Sequence, residues 1–469
     1  MSTCSSFEHE RQALTCPQRL PDLTAHGVAM LRRMREHPAA PIFRNYSGHR
    51  MTRIMRIKAR VQHQMLQHAP VPGRHPPAWL WPWLLRWAGD VPDWPHPLTL
   101  HHGWSAIRTC ERSDFAWQLT RHVPRSHQTD RLLCFSTSGT TGHPLRVPTL
   151  PLVASAYQAL HHRALHMLNV QPRAGRGDVG VVLAGYQQRC FTYVSVNPLR
   201  GECGLAKINL HPSEWRHPDD RGAYLDAMRP ELISGDPISL CALAELPMRH
   251  RPRALLSTSM ALSTGLREQL ERHFCAPVLD VYSMNEAGPI AAYVPRVDAF
   301  VLLQPGLYVE LLDDNGQAVP PGTRGEITLT GGINPCLPLL RYRTGDHARW
   351  INTPLGPALA DLQGRPPVRF RHECGQWVNN VELSQALRHL PLRRFALHQQ
   401  ADGSLNLRID TSFNMHQNEI TRIESRLRES LAACLGSLPL SIMPLQEQDK
   451  VRQYTSDLPG ATCAHALRS

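Results

Sequence analysis

The sequence predicts an α/β protein: a large N-terminal domain of mixed sheets flanked by helices, joined to a small α+β C-terminal domain. Three observations predict it. Short apolar runs alternate with helical segments between about 131 and 350, the pattern of strands with helices on both faces. After Pro305 two apolar runs, 307–312 and 325–330, bracket the turn Asp313-Asp314-Asn315-Gly316, a hairpin signature. From Gly364 onward the chain offers one more hairpin and one long amphipathic helix closed by Gly436. The expected divisions are 1–130, a basic, Trp- and Pro-rich helical part of the large domain; 131–363, the core of that domain; and 364–469, the small domain.

The composition supports a folded chain. Of 469 residues, 42% are hydrophobic and 19% charged, which excludes wholesale disorder. No apolar run approaches the ~20 residues that cross a bilayer, and the richest is interrupted by Pro82 and Arg86. The 12 Cys form no CxxC pair and no Cys/His quartet at zinc spacing, so the expectation is a reduced, cytoplasmic protein without a disulfide framework or structural zinc. The net charge of +12 speaks of partners rather than fold.

In the first region, nine basic residues against the single acid Glu36 fall between positions 31 and 60. Within this stretch Ile54, Ile57, Val61 and Met65 recur at helical spacing, predicting an amphipathic helix with a basic outer face. That face is either simply solvated or a docking surface for an acidic partner or a polyphosphate. Six of the ten Trp, at 79, 81, 83, 87, 94 and 104, are expected to pack as an N-terminal cap. In the second region, 178–183, 231–234 and 278–282 read as strands and 264–274 as a helix. In the third, 395–397 and 405–409 form the hairpin, and Ile420, Ile423, Leu427 and Leu431 mark the helix face.

The most specific string is Ser136-Thr137-Ser138-Gly139-Thr140-Thr141-Gly142-His143-Pro144, directly after an apolar strand. Its glycines let backbone N–H groups approach a polyphosphate, and its hydroxyls add donors. It contains no Lys and is not a Walker loop. Four further strings follow: Val281-Tyr282-Ser283-Met284-Asn285-Glu286-Ala287-Gly288, Tyr342-Arg343-Thr344-Gly345-Asp346, Gly364-Arg365 and Asp449-Lys450-Val451-Arg452.

In this order the strings resemble the adenylate-forming superfamily of acyl-CoA synthetases and adenylation domains, and within it the phenylacetate-CoA ligase-like and capsule-biosynthesis-type proteins. The resemblance covers roughly 130 to 460. It implies ATP-dependent activation of a carboxylic acid, aryl or short acyl, to an acyl adenylate. The acyl group then passes to the thiol of CoA or of the phosphopantetheine arm of an acidic acyl carrier protein.

The resemblance also implies roles. Thr137, Ser138, Gly139, Thr140, Thr141 and Gly142 would hold phosphates, with Ser259, Ser283 and Asn285 completing the nucleotide site. Tyr282 would stack on adenine, Asp346 would accept the ribose hydroxyls, and Glu286 would ligate Mg²⁺ and serve catalysis. Arg365 would contact the nucleotide at the hinge, Lys450 would bring its ammonium to the reacting carboxylate, and Gly375 would line the thiol tunnel. Tyr186, Phe191, Ser257 and Pro289 would form the acyl pocket. The cofactors are then ATP and Mg²⁺, without zinc.

Three places depart from the family pattern. Ser257-Thr258-Ser259-Met260 replaces a Gly-rich stretch, Pro366-Pro367 follows the hinge, and Asp449 precedes Lys450 in place of Gly. They motivate an alternative reading, a member that binds nucleotide or acyl adenylate as a regulatory module without full turnover. Nucleic-acid binding is not expected, since no recognisable binding motif accompanies the charge.

Overall fold

The computed structural model describes residues 14–95, 103–127, 132–136, 145–260, 262, 264–363, 368–387, 390, 394–410, 417–445 and 454–461. The chain forms two compact units. The first comprises 1–111, 120–133 and 148–364, and the second 112–119, 134–147 and 365–469.

Helices α1 (Ala25–Arg35), α2 (Arg53–His68) and α3 (Leu80–Trp87) come early among the described residues. Thr24 and Thr52 cap the first two by accepting from the Gly27 and Met55 N–H groups. The short helices α4 (Arg112–Trp117) and α5 (Leu119–His122) lead to the paired strands β1 (Leu133–Ser136) and β2 (Arg146–Thr149), and Pro151 then starts α6 (Pro151–Met167).

The large sheet follows. Its first strands are β3 (Val179–Gly185), β4 (Tyr193–Asn197), β5 (Cys203–Asn209) and, beyond α7 (Asp220–Met228), β6 (Leu232–Gly235). Helix α8 (Pro237–Ala244) leads to β7 (Ala254–Ser257), and α9 (Thr264–Phe274) to β8 (Val278–Met284). Strands β5, β3, β6, β7 and β8 are parallel neighbours, so the expected βαβ pattern is realised. The chain then reverses into antiparallel strands: β9 (Gly288–Val294), β10 (Ala299–Leu302), β11 (Leu307–Leu312), β12 (Arg324–Gly331), β13 (Leu339–Thr353) and β14 (Gly356–Gln363). Across the sheet the order is β11-β12-β13-β14-β10-β9-β8-β7-β6-β3-β5-β4. One core lies between α6 and the middle of the sheet, where Ala156, Ala159, Leu160 and Leu165 meet Leu232, Leu256, Leu279 and Val281.

The second unit pairs β15 (Arg369–Arg371) with β16 (Trp377–Asn379), continues through α10 (Asn380–Leu387), and builds a four-stranded sheet in the order β19-β18-β17-β20. Those strands are β17 (Arg394–Gln399), β18 (Leu405–Asp410), β19 (Leu440–Pro444) and β20 (Tyr454–Ser456). Helix α11 (Gln417–Leu435) lays Ile423, Leu427 and Leu431 on the sheet, and Gly436 follows at φ 79°.

Five of the six expected tryptophans pack: Trp79, Trp83, Trp94 and Trp104 surround Leu80, Leu84, Ile107, Tyr308 and Leu340, and Trp87 is buried, whereas Trp81 is exposed. The expectation for α2 is corrected. The helix forms, but Ile54, Ile57, Val61 and Met65 point to solvent, and the residues it buries are Ala59 and Leu66. Polar pins choose the face. Arg163 on α6 donates to the carbonyls of Leu66 and Ala69 at 2.8 Å each, and His63 donates to the Ser155 carbonyl at 2.8 Å. Ala59, short enough for close approach, is fully buried one turn before His63.

Arg341 ties the cap to the hairpin strands. Buried, at φ 44°, it donates to the carbonyls of Ile107 (2.6 Å), Ser105 (3.2 Å) and Gly316 (2.9 Å). It also pairs at 3.5 Å with buried Glu310, which accepts from Trp104 Nε1 at 2.7 Å. Removing one partner strands the other charge, so Arg341→Met should lower unfolding stability by about 3–5 kcal/mol. Chemical denaturation followed by tryptophan fluorescence measures this, and a loss within about 1 kcal/mol would show that the pair is not structural.

Candidate active site

In parallel sheets, ligands gather at the carboxyl ends of the strands. Five candidate positions stand at that edge: Tyr186 just past β3, Ser257 and Ser259 at the end of β7, and Tyr282 with Ser283 at the end of β8. The strands order as β8, β7, β6, β3.

Glu286 is the centre of a three-residue hairpin loop, Asn285-Glu286-Ala287, between β8 and β9. Gly288 closes the loop at φ 74°, and a Cβ there would lie 2.9 Å from Tyr157 Cε1. Two groups brace the turn: Tyr157 Oη donates to the Asn285 carbonyl at 3.2 Å, and buried Gln304 Nε2 donates to the carbonyls of Ala287 (2.7 Å) and Pro289 (2.8 Å). The Glu286 carboxylate is itself buried and accepts from Tyr342 Oη at 2.6 Å. Burial, helped by the Glu286 charge, pushes the Tyr157 hydroxyl up to about 12.

The string Tyr342-Arg343-Thr344-Gly345-Asp346 is a bulge in β13. Glu326 pairs with His347 and Thr328 with Arg343, so Ile327 alone faces Thr344, Gly345 and Asp346. Gly345 adopts φ 81° and donates to Glu326 Oε1 at 2.9 Å, while Arg343 Nε binds Glu326 Oε2 at 2.7 Å. Thr344 Oγ1 donates to the Ile327 carbonyl at 2.9 Å and accepts from the Asp346 N–H at 3.1 Å. The bulge turns Asp346 out of the ladder, where its Oδ2 accepts from Tyr282 Oη at 2.8 Å. Burial, then the Asp346 charge, raises the Tyr282 hydroxyl well above its ordinary range, so it stays a donor. Tyr282 lies at a second register shift, between β8 and β9.

The remaining candidates divide by environment. Ser259 is exposed at φ 72°, while Ser257 is buried and its Oγ has no hydrogen-bond partner. Asn285 is exposed and Pro289 buried. Tyr186 stacks against His211 with ring centroids 5.6 Å apart, in a loop that Asn209 fixes through Gln187. Phe191 is half exposed beside Tyr193. In the second unit Gly375, exposed at φ 84°, forms the turn between β15 and β16. Thr137, Ser138, Gly139, Thr140, Thr141, Gly142, Arg365 and Lys450 lie outside the described residues. Among the described residues no group of three His, Cys, Asp or Glu is placed to hold a metal ion, and no helix is long and apolar enough to cross a membrane.

A family model described as AMP-binding enzyme matches residues 90–334, just over half of the chain. The chain belongs to the AMP-binding enzyme family. Its relatives include the indoleacetate–CoA ligase of Aromatoleum aromaticum, 30% identical over 229 residues that cover 45% of this chain and 41% of that protein. The phenylacetate-coenzyme A ligase of Pseudomonas putida is 31% identical over 90 residues, 18% of this chain and 20% of the relative. The chain thus matches less than half the length of these relatives. A solved 2-hydroxyisobutyryl-CoA ligase, in complex with 2-HIB-AMP and CoA in the thioesterification state, superposes with a TM-score of 0.50. It covers 87% of this chain and 91% of that one at 18% identity, a likeness of fold.

Sequence reading missed the partners that hold the AMP-binding fold's carboxylates here. Tyr342 stood inside a recognised string without a role, and Tyr157, Thr344 and Gln304 were not singled out. It also passed over Asp280, buried on β8, whose carboxyl burial pushes up to about 7 against the partial offset of Arg267. A lone carboxylate inside the apolar run Val278-Leu279-Asp280-Val281 was the available signal.

Two outcomes follow. Gly288→Ala should lower the melting temperature and weaken nucleotide binding, because both the positive φ and Tyr157 oppose a Cβ; unchanged ATP affinity by calorimetry would show the turn to be tolerant. Folded Asp280 keeps its proton up to about pH 7, whereas an unfolded Asp loses it near its ordinary 3.8. Stability contributed by this group therefore falls as pH rises through that window. Asp280→Asn should remove the slope and be the more stable protein above pH 7; parallel pH profiles in chemical denaturation would refute the assignment.

Proposed function

We propose that this chain uses ATP to convert a carboxylic acid, aryl or short acyl, into an acyl adenylate and then transfers the acyl group to the thiol of CoA. The observation that supports it is the placing of two carboxylates: Glu286 and Asp346, on separate elements, each accept from a tyrosine of the other's element. Relatives named for indoleacetate and phenylacetate favour an aryl acid, with Tyr186 and Phe191 as its walls, Ser257 and Pro289 behind them, and a phenylacetate-CoA ligase-like assignment.

In the first step a substrate carboxylate oxygen attacks the α-phosphorus; a P–O bond forms, the α–β bridge breaks, and pyrophosphate leaves. Charge spreads over phosphate oxygens, and loop 137–142 would answer it with hydroxyls and amides. Asp346 fixes the ribose, Tyr282, Ser283, Asn285 and Ser259 shape the base and sugar site, and Lys450 offsets the charge of the two approaching anions. Mg²⁺, when bound, supplies positive charge to the phosphates; one buried carboxylate, Glu286, suits a metal that takes its other ligands from phosphate and water. In the second step residues 364–469 would turn at Arg365 and bring Gly375 to the thiol path. The thiolate attacks the acyl carbon, the C–O bond to AMP breaks, and AMP leaves while the thiol proton passes to solvent.

Pyrophosphate exchange across a panel of aryl and short acids tests the first step. Glu286→Gln should lower exchange about 10²–10³-fold with an unchanged circular dichroism spectrum, and Lys450→Ala should lower it as well. Bound ATP without exchange for any acid would replace this proposal with the non-turnover binding module. Thioester formation with an acidic carrier protein but not with CoA would move the acceptor to the carrier.

A further inference from the structure

Nine large hydrophobic side chains are exposed among the described residues, and six of them are on α2 and α3: Ile54, Ile57, Val61, Met65, Trp81 and Leu85. The two helices are neighbours, since Gln62 from α2 and Trp83, Arg86 and Trp87 from α3 line one cavity of about 250 Å³.

On α2 the four apolar residues are 54–68% exposed, and at helical rotation their stripe lies about 145° round from the packed Ala59 and Leu66. It runs about 16 Å along the helix. Lys58 borders it on one side and Arg53 and Arg60 on the other; all three are exposed and have no ion-pair partner among the described residues. Arg56, nearer the packed side, is paired with Asp22. From position 37 to 89 the chain contains no Asp or Glu, against eight Lys and Arg. On α3, Trp81 and Leu85 are 41% and 58% exposed but lie about 170° round the helix from Trp83, Arg86 and Trp87, which line the shared cavity, so they are not part of this face.

We propose that this face of α2 docks peripherally on an anionic lipid surface. Its aliphatic tips enter the boundary between head groups and acyl chains, while the flanking cations stay at head-group level against lipid phosphates. Charge argues against a second copy of the chain: a two-fold contact would set Arg53, Lys58 and Arg60 against themselves with no acid on either helix. Each determinant is modest, so binding requires both, and salt weakens it.

The test sediments the full-length chain with vesicles of phosphatidylcholine containing about one-third phosphatidylglycerol, and with phosphatidylcholine alone. Expected is pelleting with the anionic vesicles, reduced by high salt and weak with the neutral ones. Ile57→Ser/Val61→Ser and, separately, Lys58→Gln/Arg60→Gln should each lower the partition coefficient at least tenfold, with the circular dichroism spectrum and pyrophosphate exchange unchanged. Three results overturn the proposal: no pelleting with anionic vesicles at low salt, undiminished pelleting of the serine variant, or a stripe whose substitution changes only oligomer mass or binding to an acidic carrier protein.

Discussion

The candidate site depends on two hydrogen bonds that join strands which are not neighbours. Strands β13 and β8 are separated in the sheet by β14, β10 and β9; in a flat sheet four spacings would put them about 19 Å apart. Yet Tyr342 reaches Glu286 at 2.6 Å and Tyr282 reaches Asp346 at 2.8 Å. The antiparallel half of the sheet must therefore curl until its long strand faces the end of the parallel half. The two tyrosines are crossed: each carboxylate is held by the ring that precedes the other. Loss of curvature would release both at once, which couples the hairpin bearing Glu286 to the bulge bearing Asp346.

The curl rests on local irregularities that regular β structure would not provide. A bulge at Thr344 to Asp346 and a register shift at Tyr282 both fall where side chains must leave the ladder. Gly288 and Gly345 supply the left-handed conformations, and Gln304 satisfies two carbonyls that the tight turn strips of partners. At the far edge Arg341 performs a similar service, spending its donors on three carbonyls of the cap and the hairpin. Irregular backbone is thus paired by buried side chains, as a dry interior demands.

Much of this was legible in the sequence, for identifiable reasons. Strands such as 178–183 and 278–282 are apolar apart from Asp178 and Asp280, as parallel strands covered on both faces are expected to be. The helix with Ile423, Leu427 and Leu431 has one apolar stripe and therefore one possible orientation. Helix α2 has two stripes of different character, Ala59 with Leu66 and the larger Ile54 to Met65 set, and periodicity cannot rank them; bonds to Arg163 and to the Ser155 carbonyl, both on α6 and far along the chain, decide it. The strings around Glu286 and Asp346 were recognisable, but their tyrosine partners were not, because a contact between residues 56 or 64 positions apart leaves no local pattern.

On the proposed reading, in which Asp346 takes a ribose, the Tyr282 hydroxyl is a competitor for the same carboxylate: it already donates to Asp346 Oδ2 at 2.8 Å and keeps that oxygen aimed. A sugar hydroxyl binding there would exchange one hydrogen bond for another and gain little from that contact alone. Affinity would then have to be drawn from the rest of the ligand, and this contact would act as an aiming device rather than as an anchor.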